Sequence, residues 1–133
     1  MLDNYSRIVK IEALTMIDMA RKNIFPAINN YVKDVLGTAT LKANAGINAT
    51  VDLKLANTLS SLSDEVFNFT EKLENLVIKS NSISDSKALA FFIKDEILPC
   101  MELLRASADK AETLTDDKYW PYPSYAKLLF SVK

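Results

Sequence analysis

The chain has 133 residues, of which 49% are hydrophobic and 25% are charged, with 16 basic and 17 acidic side chains. This balance is typical of one globular domain, and it gives no reason to expect nucleic acid or a membrane as a partner. Histidine is absent and glycine occurs only twice. The composition therefore excludes the commonest general base and the glycine-rich loops that bind phosphate.

The single cysteine, Cys100, cannot form a disulfide within the chain. The first residues lack a basic stretch followed by an apolar core, so no secretory signal is indicated. No apolar run reaches the roughly 20 residues that a membrane-spanning helix needs. These features predict a cytoplasmic location.

The first predicted helix covers residues 3–36 and ends at Gly37, a residue that commonly follows a helix. An apolar stripe with spacings of three and four marks one face of this helix. Its members are Ala13, Ile17, Ala20, Ile24, Ala27, Tyr31 and Val35. A short additional helical piece is expected near residues 38–46, before Gly46 breaks the chain.

The second predicted helix covers residues 50–80 and has the clearest pattern in the sequence. Apolar residues alternate spacings of four and three over most of its length, which is a heptad repeat. The repeat consists of Leu55, Leu59, Leu62, Val66, Phe69, Leu73, Leu76, Ser80 and Ile83. Thr50 is the expected N-cap.

The third predicted helix covers residues 84–114, with Ser84 as the expected N-cap. One face carries Ala90, Ile93, Ile97, Met101, Leu104, Ala108 and Ala111. The register of this stripe slips by one residue near Pro99. Because proline removes a helical hydrogen bond, we expect bends at Pro99 and at Pro26, which lies in similar surroundings on the first helix.

Three long helices with short connections predict an all-α fold, since no segment alternates with the period of a strand. The expected architecture is an antiparallel up-down-up bundle over residues 1–118, followed by an extended aromatic tail over residues 119–133.

Candidate catalytic groups are few, and each has a simpler structural explanation. Asp64, Glu65, Glu71 and Glu74 have helical spacing, but the usual bundle metal site needs histidine as well. We therefore interpret these acids as solvated helix faces. Cys100 has no histidine to activate it as a nucleophile. The chain is expected to hold no catalytic, metal-binding or cofactor-binding residue.

The tail is the most distinctive segment because it combines the only tryptophan with three of the five tyrosines. Prolines at alternate positions in "WPYP" impose an extended conformation that cannot continue the third helix. The candidate docking residues of this tail are Trp120, Pro121, Tyr122, Tyr125, Leu128 and Phe130. They are expected to pack on the bundle itself, on another domain or on a neighbouring subunit.

Three stretches resemble the C-terminal region of type III glutamine synthetases, the long bacterial form of the enzyme. They are "KIEALTMIDMARKNIFPAI" (residues 10–28), "DEILPCMELLRASADKAE" (residues 95–112) and "YWPYPSYAKLLFSV" (residues 119–132). Residues 38–80 resemble the family only in helical character.

The resemblance implies that the parent enzyme joins glutamate and ammonia in nitrogen assimilation, using ATP and a divalent metal, Mg or Mn, in a separate catalytic domain. It implies a non-catalytic role for this chain, in domain packing and in assembly of a homo-oligomeric ring. The partners would be the catalytic domain of the same chain and neighbouring subunits. The alternative is a free-standing helical adapter, since methionines such as Met16 and Met19 suit protein contacts.

Overall fold

The computed structural model describes the backbone of residues 2–123 and the side chains of residues 3–123. Within this range the regular secondary structure is entirely helical. There are three long helices. The first comprises α1 (Leu2–Met19), a π turn (Ala20–Ile24) and α2 (Phe25–Asn44). The second is α3 (Thr50–Ser80). The third comprises α4 (Ser86–Phe92), a second π turn (Ile93–Ile97) and α5 (Leu98–Leu114).

The core forms where the predicted stripes of the three helices meet. The heptad positions Leu59, Leu62, Val66 and Leu73 of α3 are buried. The first helix contributes Ala13, Ile17, Ala20 and Ile28, and the third contributes Ile93, Ile97, Met101, Leu104 and Ala111. The helical periods in the sequence therefore identified most of the core. Removing this apolar surface from water is the main stabilising term of the fold.

The first helix does not end at Gly37, and the predicted separate piece near residues 38–46 is its last part. The helix continues to Asn44, and Ala39 extends the buried stripe. The true stop is Gly46, whose φ of 76° lies in the left-handed region. Gly46 N–H donates to Ala43 O at 3.1 Å and Ile47 N–H to Lys42 O at 2.7 Å. These two bonds form a Schellman motif, which needs glycine at the left-handed position.

Both predicted N-caps need correction. The second helix does begin at Thr50, but its N-cap is Ala49, and the side-chain acceptor is Asn48 Oδ1, which receives the Thr50 N–H at 2.8 Å. The third helix begins at Ser86 rather than residue 84. Its N-cap is Asp85, whose carboxylate accepts the Ala88 N–H at 2.9 Å. An ionised acceptor at this end also favours the helix dipole.

Each helical proline lies two residues after a π turn, and this arrangement explains the slip in register near Pro99. Phe25 N–H donates to Ala20 O and Leu98 N–H donates to Ile93 O, five residues back in each case. The wider turn adds one residue before Pro26 and Pro99, neither of which has an N–H to donate.

Candidate docking surfaces

The tail leaves the third helix through a compact turn. Thr115 has an extended conformation that ends α5, and its hydroxyl donates to Ala111 O at 2.8 Å. Tyr119 N–H then donates to Asp116 O at 2.9 Å, and Trp120 N–H to Asp117 O at 3.2 Å. The turn sends the chain back along the bundle.

Tyr119, at the start of the tail, contacts the first helix. Its hydroxyl donates a hydrogen bond to the carboxylate of Asp34, and its ring centroid lies 5.1 Å from that of Tyr31. The bond to the Asp34 carboxylate favours the neutral phenol and raises the pKa of Tyr119 to about 12.

Among the predicted docking residues, Trp120 and Tyr122 contact the bundle of their own chain. Trp120 is half-buried and packs against the core. Tyr122 is also half-buried, and its hydroxyl accepts a hydrogen bond from Asn23 Nδ2 at 2.9 Å. Pro121, which lies between them, is exposed. The other predicted docking residues, Tyr125, Leu128 and Phe130, lie outside the described residues.

An open groove of about 600 Å³ continues from Trp120, Tyr122 and Pro123 between the first and third helices. Its walls are rich in flexible apolar side chains, including Met16, Met19, Met101 and Ile11. Acidic side chains also line it, namely Glu12, Asp109 and Glu112. Burial, with Asp109 and Asp117 nearby, raises the pKa of Glu112. The groove therefore combines an apolar lining with three acidic side chains and one arginine, Arg105.

The turn between the first and second helices carries exposed apolar side chains, and we call residues 36–53 the helical hairpin end. Its exposed members are Leu36, Leu41, Ile47, Val51 and Leu53, which are between 43% and 78% exposed. A salt bridge of 2.7 Å between Lys42 and Asp52 joins the two helices here. Together with the Schellman motif at Gly46, this pair holds the exposed apolar surface in a defined shape.

The candidate catalytic groups of the sequence are not brought together. Glu65 accepts a hydrogen bond from the Ser107 hydroxyl at 2.9 Å, and Glu74 forms a two-bond ion pair with Arg21, both bonds being 2.7 Å. The ion pair with Arg21 lowers the pKa of Glu74. Asp64 and Glu71 are exposed.

Cys100 is buried, and its thiol lies 3.6 Å from Phe69 O. Burial raises the pKa of Cys100 and so disfavours the reactive thiolate. Within residues 2–123, no three His, Cys, Asp or Glu side chains cluster in a way that could hold a metal ion. The described residues therefore offer no convergent set of side chains for the divalent metal that the resemblance places in a separate domain. None of the helices in this range is long and apolar enough to span a membrane.

Comparison with known proteins gives consistent matches. Residues 1–43 match the family model described as the glutamine synthetase C-terminal domain. The whole chain aligns with a glutamine synthetase of Butyrivibrio fibrisolvens at 31% identity over 135 residues, covering 19% of that protein. The chain is therefore similar to glutamine synthetases over its whole length, and residues 1–43 are similar to the C-terminal domain of that family.

Two further relatives have the same coverage pattern. A type-3 glutamine synthetase of Dictyostelium discoideum is 26% identical over 133 residues, which cover 95% of this chain and 18% of that protein. A glutamine synthetase of Bacteroides fragilis (strain YCH46) is 24% identical over 140 residues, covering 98% of this chain and 19% of that protein. The chain thus spans about a fifth of the length of these relatives. The alignments include the middle of the chain, where only helical character had suggested the family.

Sequence reasoning missed the surfaces that receive the tail and those that stay exposed. Asn23 and Asp34 lie 99 and 85 residues before the tyrosines that they bind. Contacts between residues so far apart in the chain leave no local pattern in the sequence. The exposed residues Leu41 and Val51 did leave a signal, because they are apolar residues off the stripes of amphipathic helices.

Proposed function

We propose that this chain is the non-catalytic C-terminal domain of a type III glutamine synthetase and that it supports contacts between domains and subunits. The alignments over 95% to 100% of the chain but only 18% to 19% of the relatives carry the proposal. The name of the Dictyostelium relative supports type III. Because that organism is a eukaryote, the proposal is not restricted to bacteria.

The proposed parent enzyme is an ATP-dependent glutamate–ammonia ligase of nitrogen assimilation that works in the cytoplasm. Its ATP and divalent metal would bind outside this domain. The scattered carboxylates of the described residues support this division of labour, since Glu65 and Glu74 are already engaged with Ser107 and Arg21. Neither pair leaves a set of oxygens that could converge on a metal ion.

We further propose that the three helices run up, down and up. Residue pairs in contact between the first helix and α3 support this order. A residue further along the first helix contacts a residue nearer the start of α3, as expected for antiparallel helices. The pairs are Arg21–Glu74, Asn29–Ser63 and Lys42–Asp52. Pairs between α3 and the third helix have the same property, namely Glu65–Ser107, Phe69–Cys100 and Lys79–Phe92.

The helical hairpin end is the proposed contact with a neighbouring subunit. In a protein like the relatives, the preceding part would join at the Leu2 end of the first helix. At 1.5 Å per residue, Asn44 lies about 60 Å from that end. A neighbouring subunit can therefore reach the hairpin end more readily than the domain joined at Leu2. Its apolar side chains, such as Leu41 at 71% and Val51 at 78% exposure, suit burial in such a contact.

The tail takes a different role in this proposal. Trp120 packs against the core of its own bundle and Tyr122 binds Asn23 of the first helix, which supports docking within the same chain. The tail therefore stabilises the domain in this proposal, and Pro121 is an exposed tail residue that remains for contacts with other parts of the enzyme.

The experiment that tests the assembly role compares oligomer masses of the longer synthetase by light scattering at several concentrations. The double variant Leu41→Ser/Val51→Ser is expected to dissociate at concentrations where the parent remains assembled. Ile78→Ser is the matched control, because Ile78 is 61% exposed on α3 but lies outside the hairpin end. Unchanged mass in the double variant would refute the contact. Unchanged mass after deletion of the whole domain would refute the assembly role itself.

A further inference from the structure

The beginning of the first helix presents a row of aliphatic side chains to solvent. Ile8, Ile11 and Leu14 are 47%, 57% and 53% exposed. They follow one another at a spacing of three along α1. Side chains at this spacing form one of the ridges by which a helix packs against a partner.

Two basic side chains accompany this row. Arg7 and Lys10 line the same open cleft, of about 290 Å³, as Ile11 and Leu14. Within residues 3–123 neither cation forms a salt bridge. We call Arg7, Ile8, Lys10, Ile11 and Leu14 the outer face of α1.

We propose that the outer face of α1 packs against the part of the longer synthetase that precedes Leu2 in the same chain. The partner surface is apolar, with acidic side chains opposite Arg7 and Lys10. This inference rests on the proposed function, because it requires the longer enzyme. An apolar row by itself does not identify an occupant, so the argument depends on position and charge.

The position of the outer face places it within the width of a domain joined at Leu2. Leu14 lies twelve residues after Leu2, which is about 18 Å along the helix. This chain spans only 18% to 19% of its relatives, so most of a similar protein lies outside it. Even one domain of about 200 residues has a radius of gyration of about 16 Å and so spans more than about 30 Å.

The other side of α1 is already occupied. Val9, Ala13 and Ile17 belong to the core that α1 shares with the other helices. A domain joined at Leu2 therefore meets α1 on the side of Ile8 and Ile11. It meets the helical hairpin end much less readily, since Asn44 lies about 60 Å away.

Charge determines which partner surface fits. Asp3, the acid that lines the cleft, already accepts a hydrogen bond from the Ser86 hydroxyl at 2.6 Å. A basic partner would bring like charges against Arg7 and Lys10, whereas acidic side chains would form ion pairs with them. Exposed ion pairs contribute little free energy. The two cations therefore select the partner surface, and burial of the aliphatic row supplies most of the stabilisation.

The test is photochemical cross-linking in the longer synthetase. Ile11 is replaced by the photoreactive residue p-benzoylphenylalanine, which an exposed position tolerates. The expected product has the mass of a single chain on a denaturing gel, and mass spectrometry joins the Ile11 peptide to a peptide that precedes Leu2. Leu103, 47% exposed on α5 and outside both proposed surfaces, is the matched control position. It should give no link to the preceding part.

Three outcomes would overturn the inference: links from Ile11 to a second subunit, links only within residues 2–123, or equal yields from Ile11 and Leu103. The same photoreactive residue at Val51 tests the proposed subunit contact separately, because it should link two chains and double the mass. Links at Val51 without the expected link at Ile11 would refute only this inference. The reverse result would refute only the subunit contact at the hairpin end.

A second measurement tests the acidic partner. Arg7→Glu/Lys10→Glu should lower the yield of the Ile11 link by roughly fivefold at low salt, which is the effect of losing two exposed ion pairs. The control Arg7→Lys/Lys10→Arg keeps both charges and should retain the yield. Equal yields in the two double variants would overturn the acidic character of the partner surface.

Discussion

The two glycines offer a matched pair of substitutions in which the same change has opposite effects. Gly46 has a φ of 76° and forms the C-terminal stop of the first helix, whereas Gly37 lies inside that helix and is not among the residues with positive φ. A Cβ added at either position would meet no heavy atom within 4 Å. Backbone conformation alone therefore decides the sign of each effect.

The magnitudes follow from the two conformations. An L-residue in the left-handed region costs about 1–2 kcal/mol, and the reduced freedom of the unfolded chain returns part of this. Gly46→Ala should lower the free energy of unfolding by about 1 kcal/mol. Alanine inside a helix is better than glycine by about 0.5–1 kcal/mol, so Gly37→Ala should raise it by that amount. The two variants should differ by about 2 kcal/mol.

Urea unfolding followed by far-ultraviolet circular dichroism measures both values on the isolated chain. The slope of the transition should be equal in the two variants, since neither change alters the surface exposed on unfolding. If Gly37→Ala destabilised the chain as much as Gly46→Ala, the first helix would end near residue 37, as the sequence alone suggested, and the Schellman motif would be wrong.

Three further predictions concern the tail and the third helix. Trp120→Ala should lower the free energy of unfolding by about 2 kcal/mol in urea unfolding, roughly half the cost at a fully buried tryptophan; no loss would mean that the ring does not pack on the core. Tyr119→Phe should destabilise the chain below pH 10, and the difference from the parent should vanish between pH 10 and about 12, because the raised pKa marks a bond to Asp34 that ionisation breaks. A difference independent of pH in this range would contradict that bond. Asp85→Ala should cost about 1 kcal/mol, whereas the control Ser84→Ala should cost almost nothing; equal costs would reject Asp85 as the N-cap.

The parts of the fold that the sequence predicts are those governed by local periodicity. Leu59, Leu62, Val66 and Leu73 repeat with the period of a helix, and all four are buried. Burial on one face is a property of the helix period itself, so it can be identified before any partner is known. The same reasoning predicted three helices and no strand, in agreement with residues 2–123.

The ends of the helices depend on backbone conformation, which the sequence expresses less clearly. Gly37 and Gly46 are both chemically suited to stop a helix, and the deciding feature is whether the apolar stripe continues beyond each. Ala39 is 4% exposed and continues the stripe of Val35, so the helix passes Gly37. Neighbouring serine and aspartate residues present the same ambiguity at Asp85, where only the hydrogen bond to Ala88 distinguishes the cap.

The candidate site is predicted less completely because its contacts are distant in sequence. The aromatic content of the tail indicated a docking segment, but not that Asn23 and Asp34 receive it. Hydrogen bonds between residues 85 and 99 positions apart depend on how the helices pack. Residues such as Met16 and Met101 looked like core or adapter positions, and only the packed bundle brings them to one groove.

The two π turns show how a slip in register can preserve a core. Ile93, Ile97 and Met101 are separated by two spacings of four, which would rotate by about 80° around a regular α-helix. All three are nevertheless buried, because the π turn Ile93–Ile97 adds one residue to the turn. The first helix has the same arrangement, since Ile17 and Ile28 are buried on either side of its own π turn. The extra residue in each helix thus does two things at once: it accommodates the following proline and it keeps the apolar stripe directed at the core.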